Sequence, residues 1–173
     1  NKIMPYSEEA EQSVLGAILL DKDIISIAYK KLKEVEFYKD YNRAIFESMV
    51  ELYEEDKAID LITITDKLKS KSLLDKIGLE YITSLSARVP RTSNISHYIK
   101  IIKDKYTARQ LIEISRNIAM KLYDGKLEDI DKDVENINFT IANSKSIDNI
   151  VLNASNIKKN IVKRSFLETG FKG

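Results

Sequence analysis

The chain lacks cysteine altogether, so neither a disulfide framework nor a thiolate metal site can form in it, and the cytosol is the compartment to expect. Its one histidine, His97, excludes metal centres built on two or three imidazoles. The five glycines, Gly16, Gly78, Gly125, Gly170 and Gly173, supply no phosphate-binding loop, which needs glycine, four residues and then Gly-Lys-Ser/Thr so that backbone amides can wrap the phosphates. Gly125-Lys126 is followed by Leu127, and Met120 stands where the first glycine would have to be. Nucleotide hydrolysis, and any cofactor, is therefore not expected of these residues. No apolar run approaches the roughly 18 residues that cross a bilayer; Leu15 to Leu20 is too short, and no signal-peptide pattern opens the sequence.

What remains is the composition of a helical protein: 173 residues, 43% apolar and 32% charged, with two prolines. Few breakers mean few turns. The formal net charge of +1 hides an uneven distribution. Residues 1–91 carry 14 basic and 17 acidic side chains, residues 92–144 carry eight of each, and residues 145–173 carry six basic and two acidic. A domain that held duplex DNA by itself would concentrate positive charge, because neutralising phosphates supplies most of non-specific affinity. Only the tail is basic.

Ser7 is placed to cap a first helix to about Leu20, with Glu8, Glu9 and Glu11 on the positive end of its dipole. Asp23 starts a second helix through Leu32, and Phe37 with Tyr38 falls in a polar connection. Asp40 caps a third, whose inward face is Ile45, Phe46, Met49, Val50 and Tyr53. Leu61 to Thr65 has the β-branched character of a strand, but Asp60 as cap and the spacing of Leu61, Ile64 and Leu68 predict a helix. Ile77 to Ser86 gives a short helix with Leu79, Ile82 and Leu85 inward, and Val89 to Asn94 is a loop ending in a cap.

The most informative stretch is one long helix, Asn94 to Tyr123, whose apolar stripe changes side. Ile95, Ile99, Ile102 and Tyr106 form one face; Leu111, Ile114, Ile118 and Leu122 form another, roughly 135° around the cylinder. One helix thus serves two packing partners. Ile130, Val134, Ile137 and Ile141 repeat the spacing of the second stripe, and Gly125 lies where a left-handed terminator belongs. The expected fold is all-α: a small globular helical bundle over 1–91, a long antiparallel helical hairpin over 92–144, and a linker over 145–173 with a short amphipathic helix. That last helix, with Ile157, Ile161 and Val162 as its stripe and Lys158, Lys159, Lys163 and Arg164 beside it, has no evident home in the bundle and is expected to dock elsewhere.

Candidate chemistry is sparse. Glu8 with Glu9 and Asp129 with Asp131 sit at helix starts, where the dipole explains them without a shared proton. His97, in the first turn of the long helix, reads as a surface or interface residue, and Arg88 and Arg91 flank a proline loop where a phosphate or a partner carboxylate could meet them. Tyr81, Tyr98 and Tyr106 lie near the junction of bundle and hairpin, where packing is the simpler role, although tyrosine is enriched in interface hot spots. No catalytic, cofactor-binding or metal-binding residue is assigned.

Pro5 followed by Glu9-Ala10-Glu11-Gln12-Ser13-Val14-Leu15-Gly16-Ala17-Ile18-Leu19-Leu20-Asp21 resembles the opening signature of the bacterial replicative DNA helicases, the DnaB family. Further similarities follow in order at Phe37-Tyr38, Ile45-Phe46, Asp60-Leu61-Ile62-Thr63, Gly78 with Tyr81 and Leu85, Val89-Pro90, Asn94-Ile95, Tyr98 and Arg109 with Leu111-Ile112. Thr169-Gly170-Phe171 is similar to the motif just before the family's ATPase domain. Two positions depart from the pattern: Tyr41 stands where histidine is usual, and Ile77-Gly78 replaces a common Gly-Gly.

The resemblance implies a fragment, the amino-terminal domain plus linker helix, without the motor that binds ATP and Mg²⁺. It implies that hairpins pair into dimers, that three dimers sit above a hexameric motor, that primase docks here through its carboxy-terminal domain, with a helicase loader as a further possible partner, and that the linker helix packs on the ATPase domain of the neighbouring subunit. Leu111, Ile114, Ile118, Leu122, Ile130, Val134, Ile137 and Ile141 are then hairpin and dimer residues, and Tyr81, Tyr98, Arg109 and Ile112 the primase candidates. Contact with DNA would be weak or indirect. Two other classes compete. A helix-turn-helix regulator would use Asp60 to Leu85 with Lys67, Lys69, Lys71 and Lys76, against the acidic balance of the bundle. The helicase-binding domain of primase has a related helical shape, but the Glu9 to Asp21 signature speaks against it.

Overall fold

The computed structural model describes residues 2–89 and 94–145. The expected linker helix with Ile157, Ile161 and Val162, and most of the proline loop with Arg91, lie outside the described residues. The helices are α1 (Glu8–Leu20), α2 (Ile24–Lys31), α3 (Asp40–Glu54), α4 (Leu61–Ser70), α5 (Leu74–Ile77), α6 (Leu79–Ala87), α7 (Ile95–Tyr123) and α8 (131–145), with 3₁₀ turns at Glu34–Glu36 and Leu127–Asp129. No strand occurs among the described residues. The chain divides into two compact units, Asn1–Arg109 and Gln110–Gly173.

Unit 1 closes around one core. Leu15 and Ile18 of α1, Ile45, Phe46 and Met49 of α3, Ile64 and Leu68 of α4, and Ile82 and Leu85 of α6 are fully buried, and Ile95, Ile99 and Ile102 of α7 join them. The first stripe of the long helix thus belongs to the bundle by packing. Ser7 caps α1 by accepting from the Ala10 amide at 3.3 Å. Asp60 accepts from the amides of Ile62 and Thr63, both at 2.9 Å, while the Thr63 hydroxyl accepts from the Asp60 amide. That capping box nucleates a helix where β-branched residues alone would favour a strand.

Several local expectations are corrected. Asp40 is the first helical residue of α3 and Lys39 holds the cap position without a side-chain bond. Phe37, expected in a polar connection, is fully buried 4.7 Å from the Phe46 ring, because the 3₁₀ turn before it folds the connection onto α3. Tyr53, Leu61 and Leu79 face outward, and Leu52 takes the inward place expected of Tyr53. Leu61 and Leu79 are the first residues of their helices. The single helix expected over Ile77–Ser86 is broken at Gly78, whose φ of 88° no helical residue adopts.

Three helices end in the same way. Gly125 (φ 73°), Asp56 (φ 53°) and Ser72 (φ 58°) follow α7, α3 and α4 in the left-handed region. Each donates back to the helix, and the next amide reaches one carbonyl further, as in Lys126 to Lys121 at 2.9 Å, Lys57 to Leu52 at 2.9 Å and Leu73 to Leu68 at 2.9 Å. This is the Schellman arrangement, which favours glycine. Ser72→Gly is therefore expected to stabilise the protein, by about 0.5 kcal/mol once the looser unfolded chain is offset against relief of backbone strain; urea unfolding reads the gain.

Between α3 and α4 runs a ladder of charges. Lys67 lies 2.7 Å from Glu55 and 3.1 Å from Glu51, Lys71 lies 2.5 Å from Glu51 and 3.6 Å from Glu47, and Lys57 lies 2.6 Å from Glu55. The hydrogen bonds from Lys57 and then Lys67 lower the Glu55 carboxyl from 4.5 to about 2, and those from Lys71 and then Lys67 lower Glu51. Folded values below unfolded ones mean that the stabilisation is complete above about pH 4.5 and is lost as pH falls towards 2. Urea midpoints should fall between pH 5 and pH 3, and Lys67→Met should flatten that fall; being exposed, the effect shrinks in high salt.

Candidate interaction surfaces

The signature residues of α1 build a polar network inside unit 1. Glu11 is 2% exposed, and its carboxylate accepts from the Tyr38 amide at 2.6 Å, the Lys39 amide at 3.4 Å and Asn42 Nδ2 at 2.9 Å. Asn42 Oδ1 in turn accepts from the Tyr81 hydroxyl at 2.6 Å. Gln12 Nε2 donates to Tyr81 and to Glu8, its Oε1 accepts from Arg88 at 3.4 Å, and Glu8 also accepts from the Tyr41 hydroxyl at 2.9 Å. Burial, with Gln12 and Asn42 acting against it, raises the Tyr81 phenol above its ordinary value. Tyr41, at the position where histidine was usual, is thus an integral hydroxyl of the network.

Arg109 fastens α7 to two segments far from it in sequence. It donates to the Pro5 carbonyl at 2.9 Å and the Glu36 carbonyl at 2.7 Å, with its guanidinium 5.2 Å from the Tyr38 ring centre and 5.5 Å from that of Tyr106. Lys103 adds bonds to the Lys31 carbonyl and to buried Glu36. Tyr6 stacks on Tyr38 at 4.6 Å. Burial holds the Arg109 guanidinium somewhat below its usual value.

Of the primase candidates, Tyr81 and Arg109 are therefore engaged within unit 1, and Tyr98 is half-buried against its core. Ile112 belongs to unit 2, where with Leu111, Ser115, Arg116 and Ala119 it lines a shallow groove of about 390 Å³ along α7. The lysines that a helix-turn-helix reading would aim at phosphate are partly consumed, since Lys67 and Lys71 pair with Glu47, Glu51 and Glu55.

Unit 2 pairs the end of α7 with α8. Lys121 donates to Asp133 at 2.6 Å and to the Asp129 carbonyl at 3.1 Å, closing the turn that Gly125 begins. Leu111, Ile114, Ile118, Ile130, Ile137 and Ile141 are half-buried, whereas Leu122 and Val134 remain 46% and 44% exposed. At about 100° per residue both are rotated in the same sense from the paired faces. In antiparallel helices this puts them on one side of the hairpin, the side of the groove. Met120, Tyr123, Leu127 and Phe139 are more exposed still.

The class of protein these features define is an all-α helical domain, with its polar signature spent on internal packing and apolar surface open on a two-helix hairpin. The family model of the DnaB-like helicase N terminal domain matches residues 3–104, and the chain belongs to that family. It is 32% identical over 149 residues to the replicative DNA helicase DnaC of Bacillus subtilis, covering 84% of this chain and 33% of that protein. It is 34% identical over 151 residues to the replicative DNA helicase DnaB of Pasteurella multocida, covering 85% and 32%. The chain thus spans about a third of the length of these curated relatives. Among solved structures it is similar to the N-terminal domain of DnaB helicase from Mycobacterium tuberculosis, with a TM-score of 0.71 at 28% identity, covering 80% of this chain and 99% of that one. It shares its fold, at a TM-score of 0.64 and 23% identity, with a DnaB-like replicative helicase whose structure was described together with its interactions with primase, covering 76% of this chain and 31% of that one.

Proposed function

We propose that this chain is the amino-terminal assembly and primase-docking module of a replicative hexameric DNA helicase working in the cytoplasm. The hairpin pairs with that of a second copy, and three such pairs sit above a motor domain that binds ATP and Mg²⁺ and unwinds DNA. The observation that carries this reading is the exposed apolar side of the hairpin, Leu122 and Val134 beside the Ile112 groove, on a chain whose family is that of the helicase amino-terminal domain. A surface of that kind is covered in a working assembly. The primase contact is supported by the shared fold with a helicase described with its interactions with primase. The linker residues Ile157, Ile161 and Val162 would dock on a neighbouring motor domain.

Tyr98 and Ile112 are the candidates best placed to meet primase, while Tyr81 and Arg109 support the surface by holding the bundle together. Pull-down with the cognate primase carboxy-terminal domain tests the reading. Tyr98→Ala and Ile112→Ala should each weaken capture about tenfold, as for truncation of an interface hot spot, with circular dichroism showing both variants folded at the temperature of the assay. Unweakened capture by both variants would remove these residues, and no capture by the unaltered chain would remove primase from the proposal.

A further inference from the structure

On the surface of unit 1, α2 and α3 present two tyrosines to solvent. Tyr29 and Tyr53 are 41% and 37% exposed, with ring centres 5.1 Å apart and planes inclined by 52°. The Tyr29 hydroxyl donates to Glu54 at 3.0 Å. We propose that Tyr29, Tyr53 and Glu54 form a docking site for a protein segment that presents an arginine side chain. This proposal is independent of the one above and uses neither unit 2 nor the primase candidates.

Three features of the site favour a cation. The tyrosine faces attract one through their quadrupoles, and a planar guanidinium can stack on them as an ammonium cannot. Glu54 is the last residue of α3, at the negative end of the helix dipole. The neighbouring carboxylates are already matched, Glu51 by Lys67 and Lys71 and Glu55 by Lys57 and Lys67, whereas Glu54 meets a neutral hydroxyl and has no ion pair among the described residues. Of the nearby basic groups, Lys57 is drawn onto Glu55 at 2.6 Å, and Lys30 is exposed one residue on from Tyr29, roughly 100° around α2. Tyrosine gives broad contact area at low entropic cost.

The test is a ¹H–¹⁵N NMR titration of the whole 173-residue chain with a blocked peptide of alternating arginine and serine, and with the same peptide carrying citrulline for arginine. The arginine peptide should shift the signals of Tyr29, Tyr53 and Glu54, and the citrulline peptide should not. Tyr29→Ser with Tyr53→Ser should weaken the affinity about fivefold, the worth of an exposed cation–π contact. Glu54→Gln, at an exposed position that cannot threaten the fold, should weaken it about threefold. No shift at the three residues, shifts of equal size with citrulline, or undiminished affinity in both variants would overturn the proposal.

Discussion

Gly16→Ala should destabilise the protein by about 3 kcal/mol, lowering the melting temperature by about 10 °C or more, although the same change in an open helix stabilises by about 0.5–1 kcal/mol. A Cβ at Gly16 would lie 2.2 Å from the Leu85 carbonyl oxygen, 2.8 Å from its carbon and 2.5 Å from Val89 Cγ2. The first two are backbone atoms of α6 and cannot swing aside. Either α1 and α6 separate, opening the core around Leu15, Ile18, Ile82 and Leu85, or α1 deforms. Gly16→Val should leave unit 1 without a cooperative transition by circular dichroism. A neutral or stabilising Gly16→Ala would mean that the two helices are not this close.

The second large effect is at Glu11. Glu11→Leu preserves bulk but removes the acceptor for buried Asn42 Nδ2 and for the part-buried Tyr38 and Lys39 amides. Leaving buried donors unpaired costs about 1–3 kcal/mol each, and the Lys39 bond at 3.4 Å is the weakest, so a loss of about 3–5 kcal/mol is expected by urea unfolding. Glu11→Gln keeps one acceptor oxygen and should cost about 1–2 kcal/mol. Equal losses for the two variants would show that shape rather than hydrogen bonding sets the energy.

These residues show what the sequence could and could not reveal. The helices were legible because their caps and spacings are local: Ser7 and Asp60 announce α1 and α4. The terminator at Gly125 was equally plain. Asp56 and Ser72 do the same work without glycine, and nothing in their residue type announces it. The network around Glu11 was hidden for another reason, since Tyr38, Asn42 and the more distant Tyr81 share no periodicity with α1. Arg109, offered for a partner, is held by Pro5 and Glu36, because a carbonyl acceptor has no signature in a sequence. What was visible of the hairpin was its spacing, and Leu122 and Val134 are the positions where spacing and exposure part.

That hairpin surface is the centre of the account, and the mass of the protein in solution tests it most directly. Light scattering after gel filtration should give a multiple of the 19.9 kDa chain, first of all its dimer. Leu122→Asp with Val134→Asp, at positions exposed in the single chain, should return the mass to 19.9 kDa with the helicity unchanged. A mass of 19.9 kDa for the unaltered chain at every concentration up to its solubility would contradict the account.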